Sequence, residues 1–277
     1  MKIQTIWKAA AVTAVAISAM VLSGCGDDQS ASSQAAAGAK TYVVATRGTS
    51  RPFSYADDEG HLTGFEPELL RAIEKKDPSL HFEFKAMSVD AAFVAMDANQ
   101  VDLIANQMRR SPAREEKYLI TTEPNNYSVR KLVVKKDRDD IHNLSDLAGK
   151  KVAVTTNSEF KDMIDEFNAK SDNKIEEIFS DKGSAETLNL VATGRADAAG
   201  EYAYIAESAV KDRNLPIKVV GDALAVVPTY YIIKKDDSHK ELAEKLDNAL
   251  KALRADGTLK AISEKYLGGD YSEPPAK

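Results

Sequence analysis

Two stretches of this chain follow the same order of elements, and that repetition constrains the fold more than any other feature. From Thr41 to Ala105 the order is an apolar strand, a polar loop, a helix, a strand, a second helix, a short turn with an aspartate, and another strand. From Lys151 to Ala199 the order returns. In the first set, Thr41–Thr46 reads as a buried strand and Arg47–Phe53 as the loop at its C-terminal end. Asp57–Gly60 reads as a hairpin turn. Gly64-Phe65-Glu66-Pro67 opens a helix with Pro67 at the first helical position, and Glu66 and Glu68 complement its dipole. Phe65, Leu69, Leu70 and Ile73 give that helix an apolar face, and Asp77-Pro78 ends it. His81–Phe84 is the next strand, Val89–Ala98 the next helix, and Val101–Ala105 the strand that closes the set. The second set has a strand at Lys151–Thr155, a loop at Thr156-Asn157-Ser158, a helix at Phe160–Phe167 and a strand at Lys174–Phe179. A helix at Ser184–Ala192 and a strand at Ala196–Ala199 complete it, followed by Gly200-Glu201-Tyr202. Asp102 and Asp197 hold equivalent places. Strands alternating with helices argue for an α/β fold, whose ligands sit beyond the strand C-termini.

The remaining segments tie the two sets together. Val129–Val134 is a strand and Ile141–Gly149 a short helix. Asp222–Tyr231 leads through Pro228 into a strand at Tyr231–Lys234. Lys240–Ala255 and Leu259–Tyr266 are helices, the first with Leu242, Leu246, Leu250 and Leu253 on one face. That segment is too small for a third domain, so it returns to an existing lobe. The chain then crosses between lobes twice, which makes a hinge.

The N-terminus is a leader and not part of the fold. Lys2 and Lys8 flank a basic region, and Ala9–Val21 is an apolar run shorter than the roughly 20 residues a membrane-spanning helix needs. Leu22-Ser23-Gly24-Cys25 resembles the lipobox of bacterial lipoproteins, which makes Cys25, the only cysteine, a lipidation site. Residues 26–39 carry no aromatic or large aliphatic side chain and read as a flexible tether. The protein is expected to be anchored to a membrane on its extracytoplasmic face, not to span it. A net charge of −6 argues against a nucleic-acid partner.

One stretch, Val101–Leu119, points to a ligand. Asn106 and Gln107 follow an apolar strand, Ser111 suits an N-cap and Pro112 the first helical position, and Arg114 lies one turn on. A guanidinium beside a helix N-terminus suits a carboxylate. Catalytic signatures are missing. His61, His81, His142 and His239 have no metal-ligand spacing, and there is no G-x-S-x-G elbow, G-x-G-x-x-G or phosphate-binding loop. No cofactor or metal is expected.

Taken in order, four features resemble the extracytoplasmic solute-binding proteins of polar amino acid ABC importers. They are the lipobox, Gly64-Phe65-Glu66, Val101–Gln107 with Arg114, and Ala255-Asp256-Gly257-Thr258-Leu259 with Lys265-Tyr266-Leu267-Gly268. The resemblance spans about residues 41–269. Ile104-Ala105-Asn106-Gln107 followed by Glu115-Glu116-Lys117-Tyr118 is most similar to the branch that binds L-cystine. The resemblance implies a periplasmic-binding-protein type II fold, two α/β lobes joined by two hinge strands. Residues 41–127 plus 229–270 would form lobe 1, 128–228 lobe 2, and 271–277 a tail. It implies a non-enzymatic monomer that binds one amino acid and docks on an ABC permease. It also implies roles: Arg114 for the ligand carboxylate, Asn106, Gln107 and Arg109 bordering it, Phe53 in the first loop, Asn157 and Ser158 from the second lobe, and Glu201 or Tyr202 where the family usually places an acid for the α-amino group. The chain departs from the family at Arg47, Ser50 and Val89, which stand where many members carry an acid, an aromatic and a tryptophan. Arg47 has an alternative pairing with Asp57 or Asp58. Other polar amino acids, a dehydratase using Glu201 as its acid or base, and a sensory receptor stay open as alternatives.

Overall fold

The alternating apolar runs become strands and the 3.6-residue periodicities become helices in a computed structural model, which describes residues 38–156 and 158–275. The expected leader with Cys25, the expected tether up to residue 37 and Asn157 lie outside the described residues. The first set comprises β1 (Lys40–Thr46), β2 (Thr49–Ser50), β3 (Ser54–Ala56), β4 (Leu62–Thr63), α1 (Phe65–Lys76), β5 (Leu80–Ala86), α2 (Val89–Asp97), β6 (Leu103–Met108), α3 (Pro112–Lys117) and β7 (Leu119–Ile120). β8 (Asn126–Lys135) crosses to the second set: a 3-10 turn at Leu144–Leu147, β9 (Lys151–Thr155), α4 (Glu159–Lys170), β10 (Glu176–Ser180), α5 (Ser184–Ala192), β11 (Ala198–Tyr202) and α6 (Ala203–Arg213). β12 (Ile217–Ile233) returns, and α7 (Asp237–Ala255) and α8 (Thr258–Leu267) follow.

Nine strands form one sheet. Eight run in the order β10-β9-β11-β8-β12-β6-β1-β5, and β7 pairs beside β12. β1 runs parallel to β5 and β6, and β9 parallel to β10 and β11. The crossing strands are antiparallel. β12 pairs with β8 from Ile217 to Thr229 and then with β6 from Tyr230 to Ile233. One strand therefore belongs to both halves.

Each half has its own core. In the first, Phe65, Leu69, Leu70 and Ile73 of α1 are fully enclosed with Leu242, Leu246 and Leu250 of α7. Each such side chain contributes about 1.5–3 kcal/mol by leaving water. In the second, Phe160 and Ile164 of α4 pack on Val152, Val154 and Leu132. The expected equivalence of Asp102 and Asp197 is literal. The Asp102 carboxylate accepts the Val43 N–H at 2.7 Å, and the Asp197 carboxylate accepts the Lys151 N–H at 2.7 Å. Each aspartate clips its strand end to the first strand of its own set.

Several boundaries move. α1 begins at Phe65, so Pro67 is the third helical residue and not the first. The preceding loop satisfies the first donors, because Phe65 N–H donates to Pro52 O at 3.1 Å and Glu66 N–H to Phe53 O at 2.9 Å. That loop presses on Gly64, whose φ is 114°, and a Cβ there would lie 2.6 Å from the Phe53 carbonyl oxygen. Asn106 and Gln107 lie within β6, not in a loop, since pairing with β12 continues the strand to Met108. The helix expected over Ile141–Gly149 is only the 3-10 turn, capped by Asn143. Helix α6 was not anticipated; its buried face is Ala203, Tyr204, Ala206 and Ala209, and alanines give little amphipathic contrast. Tyr271 and Ser272, in the expected tail, are buried, and the Tyr127 N–H donates to Tyr271 O at 2.9 Å.

Candidate functional site

The end of β6 lies where the two halves meet. Gln107 sits at φ 51°, a region non-glycine residues enter rarely, where the β6–β12 register shifts. Glu66 holds it there. Gln107 N–H and its side-chain amide donate to one Glu66 oxygen at 2.9 and 2.8 Å, and Asn125 donates to the other at 3.3 Å. Gln107 Oε1 accepts from Asn126 at 2.9 Å. Glu66 is fully enclosed, and burial pushes its carboxyl up to about 7, against the pull of the Gln107 donors. The Gln107 amide therefore points into the protein, locking the end of β6. Asn106 shares the α2-facing side of the strand with Ile104.

Beyond β6 the arginines gather. Ser111 caps α3 as expected, its Oγ accepting the Arg114 N–H at 3.4 Å, but α3 has only six residues and a correspondingly small dipole. Arg114 Nη1 donates to Arg109 O at 2.6 Å, and its guanidinium lies 5.6 Å from the Phe93 ring centroid. No carboxylate among the described residues stands within ion-pair reach of Arg114. Arg109 extends to the other half, pairing with Glu159 at 3.0 Å and donating to the Tyr202 hydroxyl.

The second half presents Ser158, Glu159, Tyr202 and Arg130. Ser158 is the N-cap of α4, accepting the Lys161 N–H at 3.2 Å and donating to Thr155 O at 2.9 Å. Register separates the two β11 candidates, although both line one cavity of the second half. Tyr202 lies opposite Arg130 and on the same face as Gly200, while Glu201 points to the other face. Glu201 is buried and accepts the Tyr202 N–H at 2.8 Å. The Tyr202 ring stacks parallel on Tyr204 at 5.7 Å and carries the Arg130 guanidinium 4.4 Å from its centroid.

Other candidates stand further back. Phe53 is buried edge-on against Tyr204 at 4.7 Å and against Phe65 at 6.3 Å, so it joins the halves from within the core. Ser50 is half-buried in β2, and Val89 opens α2 half-buried. Arg47 is exposed and does not pair with Asp57 or Asp58. The Asp57 carboxylate instead accepts the Glu59 and His61 N–H groups at 3.1 and 2.8 Å, which stabilises the hairpin turn.

Sequence reasoning missed Arg130, Glu159, Tyr204 and the role of Glu66. Arg130 left a signal: by alternation it shares its face of the strand with Leu132 and Val134, so a central strand has to bury it beside apolar neighbours, unlike Lys131 on the other face. Glu66 left none beyond its place in a helix first turn, because its partners are 41 and 59 residues away.

Residues 42–269 match the model of the bacterial extracellular solute-binding proteins, family 3. The chain belongs to this family. The L-cystine-binding protein TcyJ of Bacillus subtilis is 36% identical over 236 residues, covering 85% of this chain and 87% of the relative. The L-cystine-binding protein TcyK of the same organism is 32% identical over 91% of this chain and 93% of its own length. Among solved structures, the L-cystine solute receptor of Neisseria gonorrhoeae in its unliganded open conformation superposes with a TM-score of 0.75 at 31% identity, covering 84% of this chain and 95% of that one. The family's fold is the type II periplasmic-binding-protein fold, and the two halves described above are its two α/β lobes, joined by β8 and β12.

Proposed function

We propose that the protein captures L-cystine between its lobes and delivers it to the permease of an ABC importer. One observation carries the reading: Arg109, Arg114 and Arg130 converge on the gap with Glu159 as the one carboxylate paired to them among the described residues, in a chain whose net charge is −6. A local excess of guanidinium in an acidic protein fits a ligand that brings carboxylates. The names of the relatives favour cystine over other polar amino acids. Arg114 takes the α-carboxylate, with Asn106 and the Arg109 backbone beside it and Asn157 and Ser158 closing from the other lobe. The hinge falls where β8 and β12 change partners, with residues 41–127 and 229–270 in one lobe and 128–228 in the other. Closure follows ligand only through contacts better made in the closed state, and the Arg109–Glu159 pair bridges the lobes at a half-exposed site where it is worth about 1 kcal/mol or less. Lipid on Cys25 holds the monomer near its permease.

A thermal-shift panel of the twenty amino acids and L-cystine tests this. At a ligand concentration about 100 times Kd, binding adds about 2.7 kcal/mol, which raises the Tm of a domain this size by roughly 5–10 °C. We expect that shift with cystine and less with the rest. A flat panel overturns amino acid binding, and a larger shift with another amino acid overturns the choice of cystine.

A further inference from the structure

Arg130 is buried to 9% exposure on a crossing strand, yet it is poorly compensated. Its Nη1 donates to Gly200 O at 3.3 Å, its Nη2 stands 3.8 Å from the Glu159 carboxylate, and its enclosed Nε has no partner among the described residues. A buried guanidinium left this way is costly unless something else supplies an anion. It lines a cavity of about 200 Å³ in the second lobe, together with Thr155, Ser158, Ser184, Thr187, Tyr202 and Glu201, whose carboxylate is turned to the Tyr202 N–H. Glu159, at the N-terminus of α4, is half-exposed and held by Arg109 from the opposite lobe. A cation that lines the cavity and an acid at its side thus stand a few ångströms apart. That is the complement of an ammonium and a carboxylate on one carbon. Arg114, reached only through the Arg109 backbone, is a separate grip on the other lobe.

We propose that Arg130 and Glu159 form a second head-group site, which binds the distal carboxylate and ammonium of a ligand with an amino acid at each end. Arg130 takes the carboxylate. The ammonium displaces Arg109 from Glu159. The inference rests on the amino acid reading above and adds the reason a two-headed ligand is preferred over a one-headed one.

Calorimetric titration of the full protein with three probes tests it: L-cystine, the mixed disulfide of L-cysteine with cysteamine, which lacks the distal carboxylate, and the mixed disulfide with 3-mercaptopropionate, which lacks the distal ammonium. We expect the wild type to bind cystine roughly tenfold or more tighter than either mixed disulfide. Arg130→Gln should weaken cystine and the mercaptopropionate probe by a similar factor and leave the cysteamine probe within about twofold. Glu159→Gln, at a half-exposed position that the fold tolerates, should do the reverse, weakening cystine and the cysteamine probe only. Equal wild-type affinity for all three probes, or a variant that weakens all three alike, overturns the second site while leaving amino acid binding intact. Binding of none of the three overturns both.

Discussion

Glu66 concentrates the residue-scale physics of this molecule. Its carboxyl is fully enclosed and accepts three N–H donors from Gln107 and Asn125, which fix the end of β6 and reach the start of β8. Enclosure dominates, and the carboxyl is pushed up from 4.5 to about 7. Below about pH 4.5 folded and unfolded chains both carry the proton, and this group adds no pH dependence. Between 4.5 and 7 the unfolded chain releases a proton that the folded one keeps, so stability falls as pH rises, by up to about 1.4 kcal/mol per unit and roughly 3 kcal/mol across the window. Glu66→Gln should abolish that slope in urea unfolding measured from pH 4.5 to 7.5; parallel slopes in variant and wild type would contradict the burial argument. The surroundings of Arg114 were legible because they are local: a strand end, a cap and a helix turn within ten residues. Arg130 and Glu159 were not, because they meet only when β8, β11 and α4 are assembled.

At the scale of elements, strong periodicity was read well and weak periodicity poorly. α1 and α7 announce themselves through large aliphatic faces, whereas α6 hides behind alanines and β12 behind a broken alternation of small residues. The packing of α4 on β11 is the element contact most open to test. Gly200 lies under the Phe160 ring, and a Cβ there would overlap the ring atoms. Phe160 is fully enclosed, so the ring cannot swing into solvent. Gly200→Ala should destabilise by about 1–3 kcal/mol, lowering Tm by roughly 2–10 °C in calorimetry. Because α4 carries Ser158 and Glu159 at its first turn, the same change should weaken ligand binding. An unchanged Tm would mean that α4 can shift freely, against the close packing described here.

For the whole molecule, the doubled order of elements foretold two α/β lobes, and the matching clips at Asp102 and Asp197 show why: each set closes by the same local device. The way the lobes meet was hidden from the sequence. Phe53 against Tyr204, Arg109 against Glu159 and Tyr271 against Glu207 are contacts between residues far apart in the chain. They put a cluster of arginines at the junction, and the central claim is that Arg114 there grips the carboxylate of an amino acid. Isothermal titration of L-cystine into wild type and Arg114→Ala tests it most directly. The account predicts one cystine per wild-type chain at micromolar affinity or tighter, and binding weakened roughly a hundredfold or more in Arg114→Ala, with Tm within about 2 °C of wild type. Wild-type affinity in Arg114→Ala would contradict it.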